Sequence, residues 1–160
     1  YRTDNTFSSA DNKNNTYYGF ATGYEYFLSN TNNIKFKLGI NQYDAKLDSY
    51  GYENNFYTIS NSGKIGFLNY TISHSNNSNE YDKSDTFVKS DTIRDDEIKT
   101  NNIILSGNLE DLIKNNYLKN IFYNLSYSDI ESRSNILNYD YDKEVIKFGI
   151  TKRMMFWKNY

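Results

Sequence analysis

Cysteine and proline are absent from the 160 residues, and histidine occurs once, as His74. Without cysteine there is no disulfide framework, no thiolate nucleophile and no Cys-ligated zinc or iron–sulfur centre. A lone histidine leaves any metal or nucleophile constellation incomplete, and a solvated strand-end histidine is the expected reading of His74. Excess positive charge is missing too: 18 Lys and Arg stand against 20 Asp and Glu, a net charge of −2. No basic field exists to grip a phosphate backbone, so no nucleic-acid partner is expected. No apolar run approaches the roughly 18 residues that a membrane-spanning helix requires. The chain opens on Tyr1 without a basic-then-apolar signal segment, and reads as a piece of something longer.

What is present is aromatic and amide-rich: 17 Tyr, 10 Phe and 25 Asn. The mean hydropathy of −0.83 would suit a disordered chain, but such chains are poor in aromatics and rich in proline. Here both tendencies are reversed.

Apolar residues recur at every second position, which is the strand period. Between Tyr17 and Leu28 one face carries Tyr18, Phe20, Thr22, Tyr24, Tyr26 and Leu28, and the other Tyr17, Gly19, Ala21, Gly23, Glu25 and Phe27. After the turn-forming run Ser29 to Asn33, the pattern resumes with Ile34, Phe36, Leu38 and Ile40 against Lys35, Lys37, Gly39 and Asn41. Near the C-terminus, Ile146, Phe148, Ile150, Met154 and Phe156 oppose Lys147, Gly149, Thr151 and Arg153, with Lys152 an intruder. Residues 120–128 place Ile121, Tyr123, Leu125 and Tyr127 on one side, although Phe122 interrupts the polar side. Weaker strands are expected at about 52–60, 64–75 and 98–109. A helical stripe through Leu109, Leu112, Ile113, Tyr117 and Ile121 competes with a plain turn over 110–118, and the turn is favoured because strands flank it.

The connections alternate in length. Short ones are expected at 29–33, 61–63 and 110–118, and long polar ones at 8–15, 43–51, 76–97 and 131–142. Short turns on one side and long polar loops on the other characterise an outer-membrane β-barrel. A soluble β-sandwich would alternate as well, but its packed core favours Val, Ile and Leu, and valine occurs here only twice. Tyrosine suits the headgroup level of a bilayer, where its ring meets hydrocarbon and its hydroxyl meets water. The fold class expected is therefore all-β, an antiparallel outer-membrane barrel domain spanning 1–160, with a soluble β-sandwich binding module as the alternative. On that reading Phe20, Tyr24, Phe36, Leu38, Phe148 and Ile150 face lipid, while Gly19, Lys35, Lys37 and Gly149 face the lumen. Inward glycines leave lumen space or permit tight curvature. Asn76 to Glu97 and Ser132 to Asp142 would lie outside the cell, and Asn30, Ser62 and Asn115 in the periplasm.

Little in the sequence suggests chemistry. Asp91, Asp95, Asp96 and Glu97 lack the spaced oxygens and central glycine of an EF-hand loop and read as a solvated loop. No acid, base or nucleophile is arranged for catalysis, so neither an enzyme nor a cofactor is expected.

Two stretches carry a resemblance. Ser132-Arg133-Ser134-Asn135-Ile136-Leu137-Asn138-Tyr139-Asp140-Tyr141-Asp142-Lys143, followed by Val145-Ile146-Lys147-Phe148-Gly149-Ile150-Thr151-Lys152-Arg153, resembles the end of the barrel in the surface lipoprotein assembly modifier family. Upstream, Tyr81-Asp82-Lys83-Ser84-Asp85 and Arg94-Asp95-Asp96 resemble that family's long acidic loop. The likeness covers about 81–156 and singles out Tyr81, Asp82, Asp85, Arg94, Asp96, Ser134, Asn135, Tyr139, Tyr141, Lys143, Gly149 and Phe156. It implies a barrel of about fourteen strands in the bacterial outer membrane, of which this chain holds the last seven or eight. It also implies a role in moving lipoproteins or related secreted cargo to the cell surface. The partners implied are outer-membrane lipid, such cargo and the barrel assembly machinery, with Phe156 or Tyr160 as the terminal assembly signal. Autotransporter or adhesin-type barrels share the strand texture but lack the Tyr-Asp-Tyr-Asp segment.

Overall fold

In a strand, successive side chains point to opposite faces, so a two-residue alternation separates apolar from polar groups along its whole length. The chain uses this separation throughout. A computed structural model describes residues 15–45, 50–84 and 91–153. They form one seven-stranded antiparallel sheet in chain order: β1 (Asn15–Phe27), β2 (Asn33–Ala45), β3 (Tyr52–Ile65), β4 (Leu68–Ser84), β5 (Ile93–Asn108), β6 (Ile121–Ser134) and β7 (Tyr141–Lys152). β1 and β7 are the two edges and do not pair with each other, so the sheet is open.

Directly paired residues share a face, and the register sorts the sheet into two sides. One side carries an apolar band and is called here the banded face. Along one register row it presents Tyr26, Ile34, Asn61, Ile72, Ile103, Tyr127 and Ile146. Phe20, Tyr24, Phe36, Leu38, Phe148 and Ile150 lie on this side, and Gly19, Lys35, Lys37 and Gly149 on the other, the polar face, as the alternation predicts.

The band does not follow the register rows. On β1 and β2 it extends from Tyr26 and Ile34 toward the end that holds the β2–β3 connection, through Phe20 and Ile40. On β6 and β7 it extends the opposite way, through Ile121 and Ile150. One row above Ile72, Ile103, Tyr127 and Ile146, the positions are already His74, Asn101, Asp129 and Glu144, whereas β1 to β3 still present Tyr24, Phe36 and Ile59. The band therefore runs diagonally, slipping by roughly one residue per strand against the ~3.3 Å rise along a strand.

Among the described residues no second layer covers it. Ile136 is the one buried hydrophobic residue among those described, while Phe20 is 74% exposed and Phe148 66%. A sandwich would bury these side chains against a facing sheet, about 10 Å away.

Several boundaries differ from expectation. Asn61, Ser62 and Gly63 lie inside β3, and the hairpin turns instead at Gly66–Phe67. Gly66 adopts φ of +60°, as the first central residue of a type II′ turn requires. Residues 43–45, 76–84, 93–97, 131–134 and 141–142, expected in long polar connections, are strand, pairing Ser78 with Glu97 and Ser132 with Tyr141. With that, the alternation of short and long connections disappears, and the β5–β6 connection, expected to be short, covers 109–120. It begins with a one-turn helix, α1 (Leu109–Ile113), capped by the Asn108 side chain accepting from the Glu110 N–H. Lys114, left-handed at φ 56°, ends it, so no stripe continues to Tyr117 and Ile121. The expectations for 8–14 and 46–49, and those for Asp85, Met154, Phe156 and Tyr160, lie outside the described residues.

Candidate functional site

At the end of the sheet that holds the β4–β5 and β6–β7 connections, two rows of the polar face are tied into a seam. In the first row tyrosines meet ring to ring across the strands. Tyr17 lies 4.8 Å from Tyr43, Tyr43 stacks on Tyr52 at 4.3 Å, and Tyr52 lies 5.2 Å from Tyr81. The guanidinium of Arg94 continues the row, 4.5 Å from the Tyr81 ring and 3.4 Å from that of Tyr139. A planar, weakly hydrated guanidinium is the cation best suited to lie between two rings.

The second row, two residues further along each strand, is made of amides. Tyr17 donates its hydroxyl to Asn41 Oδ1 at 2.8 Å, Asn41 Nδ2 donates to Asn54 Oδ1 at 3.0 Å, and Asn54 Nδ2 donates to Asn79 Oδ1 at 2.7 Å. Next in register stands Asp96, 1% exposed, which accepts from Arg94 Nε at 3.0 Å and from its NH2 group at 2.5 Å. A buried carboxylate requires this kind of compensation, because removing a charge from water costs several kcal/mol unless it is paired and hydrogen-bonded. Arg94 thus joins the rows, pairing with one and stacking in the other.

The β6–β7 connection closes over the seam. Its short 3-10 turn at Leu137–Tyr139 carries the Tyr139 ring onto Arg94, and Ser132 Oγ, on a residue 2% exposed, donates to the Tyr139 carbonyl at 3.2 Å. Asn135 ties the connection to β5: its Nδ2 donates to the Ile93 carbonyl at 2.7 Å, its N–H to the Asp95 carbonyl, and its Oδ1 accepts from the Asp95 N–H. Ser134 N–H donates to Asp140 at 2.6 Å, and Ser134 Oγ accepts from the Ile136 N–H, which fixes the entry into the buried Ile136.

Of the residues the resemblance singled out, Tyr81, Arg94, Asp96, Ser134, Asn135 and Tyr139 therefore meet in one cluster. Tyr141 and Lys143 continue along the polar face of β7, Gly149 lies further along the same strand, and Asp82 faces the other side, its N–H donating to the Gly51 carbonyl. Asp95, Asp96 and Glu97 belong to β5 and not to a solvated loop, which corrects the expectation for the acidic run.

Tyr17, Tyr43, Tyr52, Asn41, Asn54 and Asn79 were not singled out by the sequence reading. A signal for them exists: Asn41-Gln42-Tyr43, Tyr52-Glu53-Asn54 and Asn79-Glu80-Tyr81 repeat one two-residue spacing, its order reversing as the strand direction reverses.

His74 is mid-strand in β4 and not at a strand end. Its Nδ1 lies 2.8 Å from Asn101 Oδ1 and its Nε2 3.4 Å from the Tyr57 hydroxyl. Among the described residues no group of His, Asp and Glu is placed to hold a metal ion. The seam's side chains bond and stack on one another, and the arrangement holds strands and a connection in register. The chain matches no family model, no curated protein and no solved structure.

Proposed function

We propose that the seven strands are a wall section of an outer-membrane β-barrel that helps lipoproteins or related secreted cargo reach the cell surface. The single observation that carries the barrel reading is the exposed, diagonal apolar band. A band of constant depth in a bilayer must cross the register rows obliquely when strands are tilted. A slip of roughly one residue (~3.3 Å) per ~4.8 Å strand spacing corresponds to a tilt of roughly 35°. Membrane barrels tilt by about 35–45°. A soluble sheet has no reason to keep an uncovered band of Phe, Ile and Leu at constant oblique height, and exposed patches of that size mark contact with another apolar phase.

The strands that outrun the bilayer support one orientation. β4 has 17 residues and β5 has 16, whereas about 9–11 suffice for a tilted crossing. The excess, lined by Asn76, Ser78, Glu80, Glu97 and Lys99, lies at the end that carries the β4–β5 and β6–β7 connections, and that end is placed outside the cell. The unpaired edges of β1 and β7 require further strands or each other, because open backbone groups cost several kcal/mol each in hydrocarbon.

The cargo role rests on the resemblance over 81–156. Its test is to delete the gene in the parent cell and label surface lipoproteins on intact cells with an impermeant reagent. Loss of surface labelling of a subset at unchanged total amount is expected. Unchanged display, with loss instead of a single covalently linked passenger domain, would favour an autotransporter.

A further inference from the structure

Charge is segregated between the two faces of the sheet. Along its paired stretches the polar face carries Lys35, Lys37, Lys64, Lys143 and Lys147. Against these stand only Glu25, which pairs with Lys35 at 3.3 Å, and the clamped Asp96. Beyond its apolar band the banded face is the reverse, with Glu80, Glu97, Asp129, Glu131, Asp142 and Glu144 outnumbering Lys99, Arg133 and Lys152. The net charge of −2 conceals this split.

Position adds to sign. On β2, Lys35 and Lys37 alternate with Ile34, Phe36 and Leu38, and on β7 Lys147 lies between Ile146 and Phe148, so these cations lie directly behind the apolar band. Among the described residues Lys37, Lys64, Lys143 and Lys147 make no ion pair; Lys37 lies 5.3 Å from the Phe56 ring. Beside Lys147, a Cβ built on Gly149 would have nothing within 4 Å, so the surface there is open to a solute.

We infer that the polar face lines a passage that attracts small organic anions, those bearing carboxylate, sulfonate or phosphate groups. This rests on the barrel reading, in which the polar face is the lumen. A water-filled passage walled by low-dielectric material focuses the field of its lining charges, so unpaired lysines at mid-depth concentrate anions and repel cations. The same lysines on an open surface would be screened within about 8 Å at physiological ionic strength.

No cysteine occurs among these 160 residues, so a thiol introduced here has no competitor within them. The full chain carrying Gly149→Cys, reconstituted in vesicles, is treated with two methanethiosulfonate reagents of similar size, one bearing a sulfonate and the other a trimethylammonium group. Relative to a free small thiol, the anionic reagent should react at least about tenfold faster than the cationic one at low salt, the low end of what a focused field produces. Adding Lys37→Glu and Lys147→Glu should abolish or invert the ratio, and Ser78→Cys, paired with Glu97 on the other face, should prefer the cationic reagent. A ratio equal to that of the free thiol, a preference for the cation, or no reaction with either reagent would overturn the inference. Failure of the barrel reading shows separately: a Phe148→Cys thiol would then react with both reagents as fast as one at position 149.

Discussion

Two glycines on the polar face separate the two roles that an inward glycine can have. A Cβ on Gly39 would lie 2.7 Å from the Phe20 carbonyl oxygen and 2.7 Å from the Phe56 ring, so β1, β2 and β3 close tightly around it. Gly149, in contrast, faces open space. Gly39→Val should therefore destabilise by ~1–3 kcal/mol or prevent folding, as overpacking does. Gly149→Ala should be neutral or slightly stabilising, since glycine is unfavourable within a strand. Urea midpoints of the two variants check this, and similar values would contradict the assignment. Arg94 gives a second residue-scale expectation. Arg94→Ala leaves Asp96 buried without its partner, at ~3–5 kcal/mol, and adding Asp96→Asn should recover part of that loss. Arg94→Lys keeps the charge but loses the two-pronged contact and the planar stack between Tyr81 and Tyr139, so it should also lower the midpoint. A lysine variant as stable as the parent would mean that the stack contributes nothing.

At the scale of elements, the facing of β1, β2, β6 and β7 was legible because a period of two has only one partition into faces, and Phe20, Lys37 and Phe148 fall where the alternation puts them. Strand ends were not legible. Residues 76–84, 93–97 and 129–134 are rich in Asn, Asp, Glu and Ser, a composition that reads as loop, yet a strand with both faces polar still satisfies its backbone through its neighbours. Asn61-Ser62-Gly63 misled in the same way: its turn composition is spent inside β3, where Gly63 makes room for the Asn32 side chain and the Tyr70 hydroxyl. The seam was half legible. Its clamp residues were reached only through resemblance, and its tyrosine and asparagine rows only once register was known, because the spacing that betrays them makes sense only across strands. The diagonal band has a consequence for paired elements. Leu38, Tyr57, Asn76 and Lys99 share one register row, but only the β2 end of that row lies within the band. Leu38→Arg should cost ~2–4 kcal/mol in a bilayer, and Asn76→Arg, beside Glu97, close to nothing. Equal costs, measured by urea unfolding in vesicles, would mean that the band follows the rows.

For the whole molecule, the account rests on one claim: the diagonal band is a lipid-facing surface of tilted strands, and the opposite face is wet. Single cysteines carrying an environment-sensitive fluorophore, placed at Phe36, Ile72, Ile103 and Phe148 on the band, at His74, Asn101 and Asp129 one row above it, and at Gly149 behind it, test this directly in vesicles with quenchers attached at a fixed depth of the lipid chain. Strong lipid quenching is expected at the four band positions, with weak quenching at His74, Asn101, Asp129 and Gly149, although Phe36, His74, Asn101 and Asp129 occupy a single register row. Quenching that is uniform along that row, or absent at Phe36 and Phe148, would contradict the account.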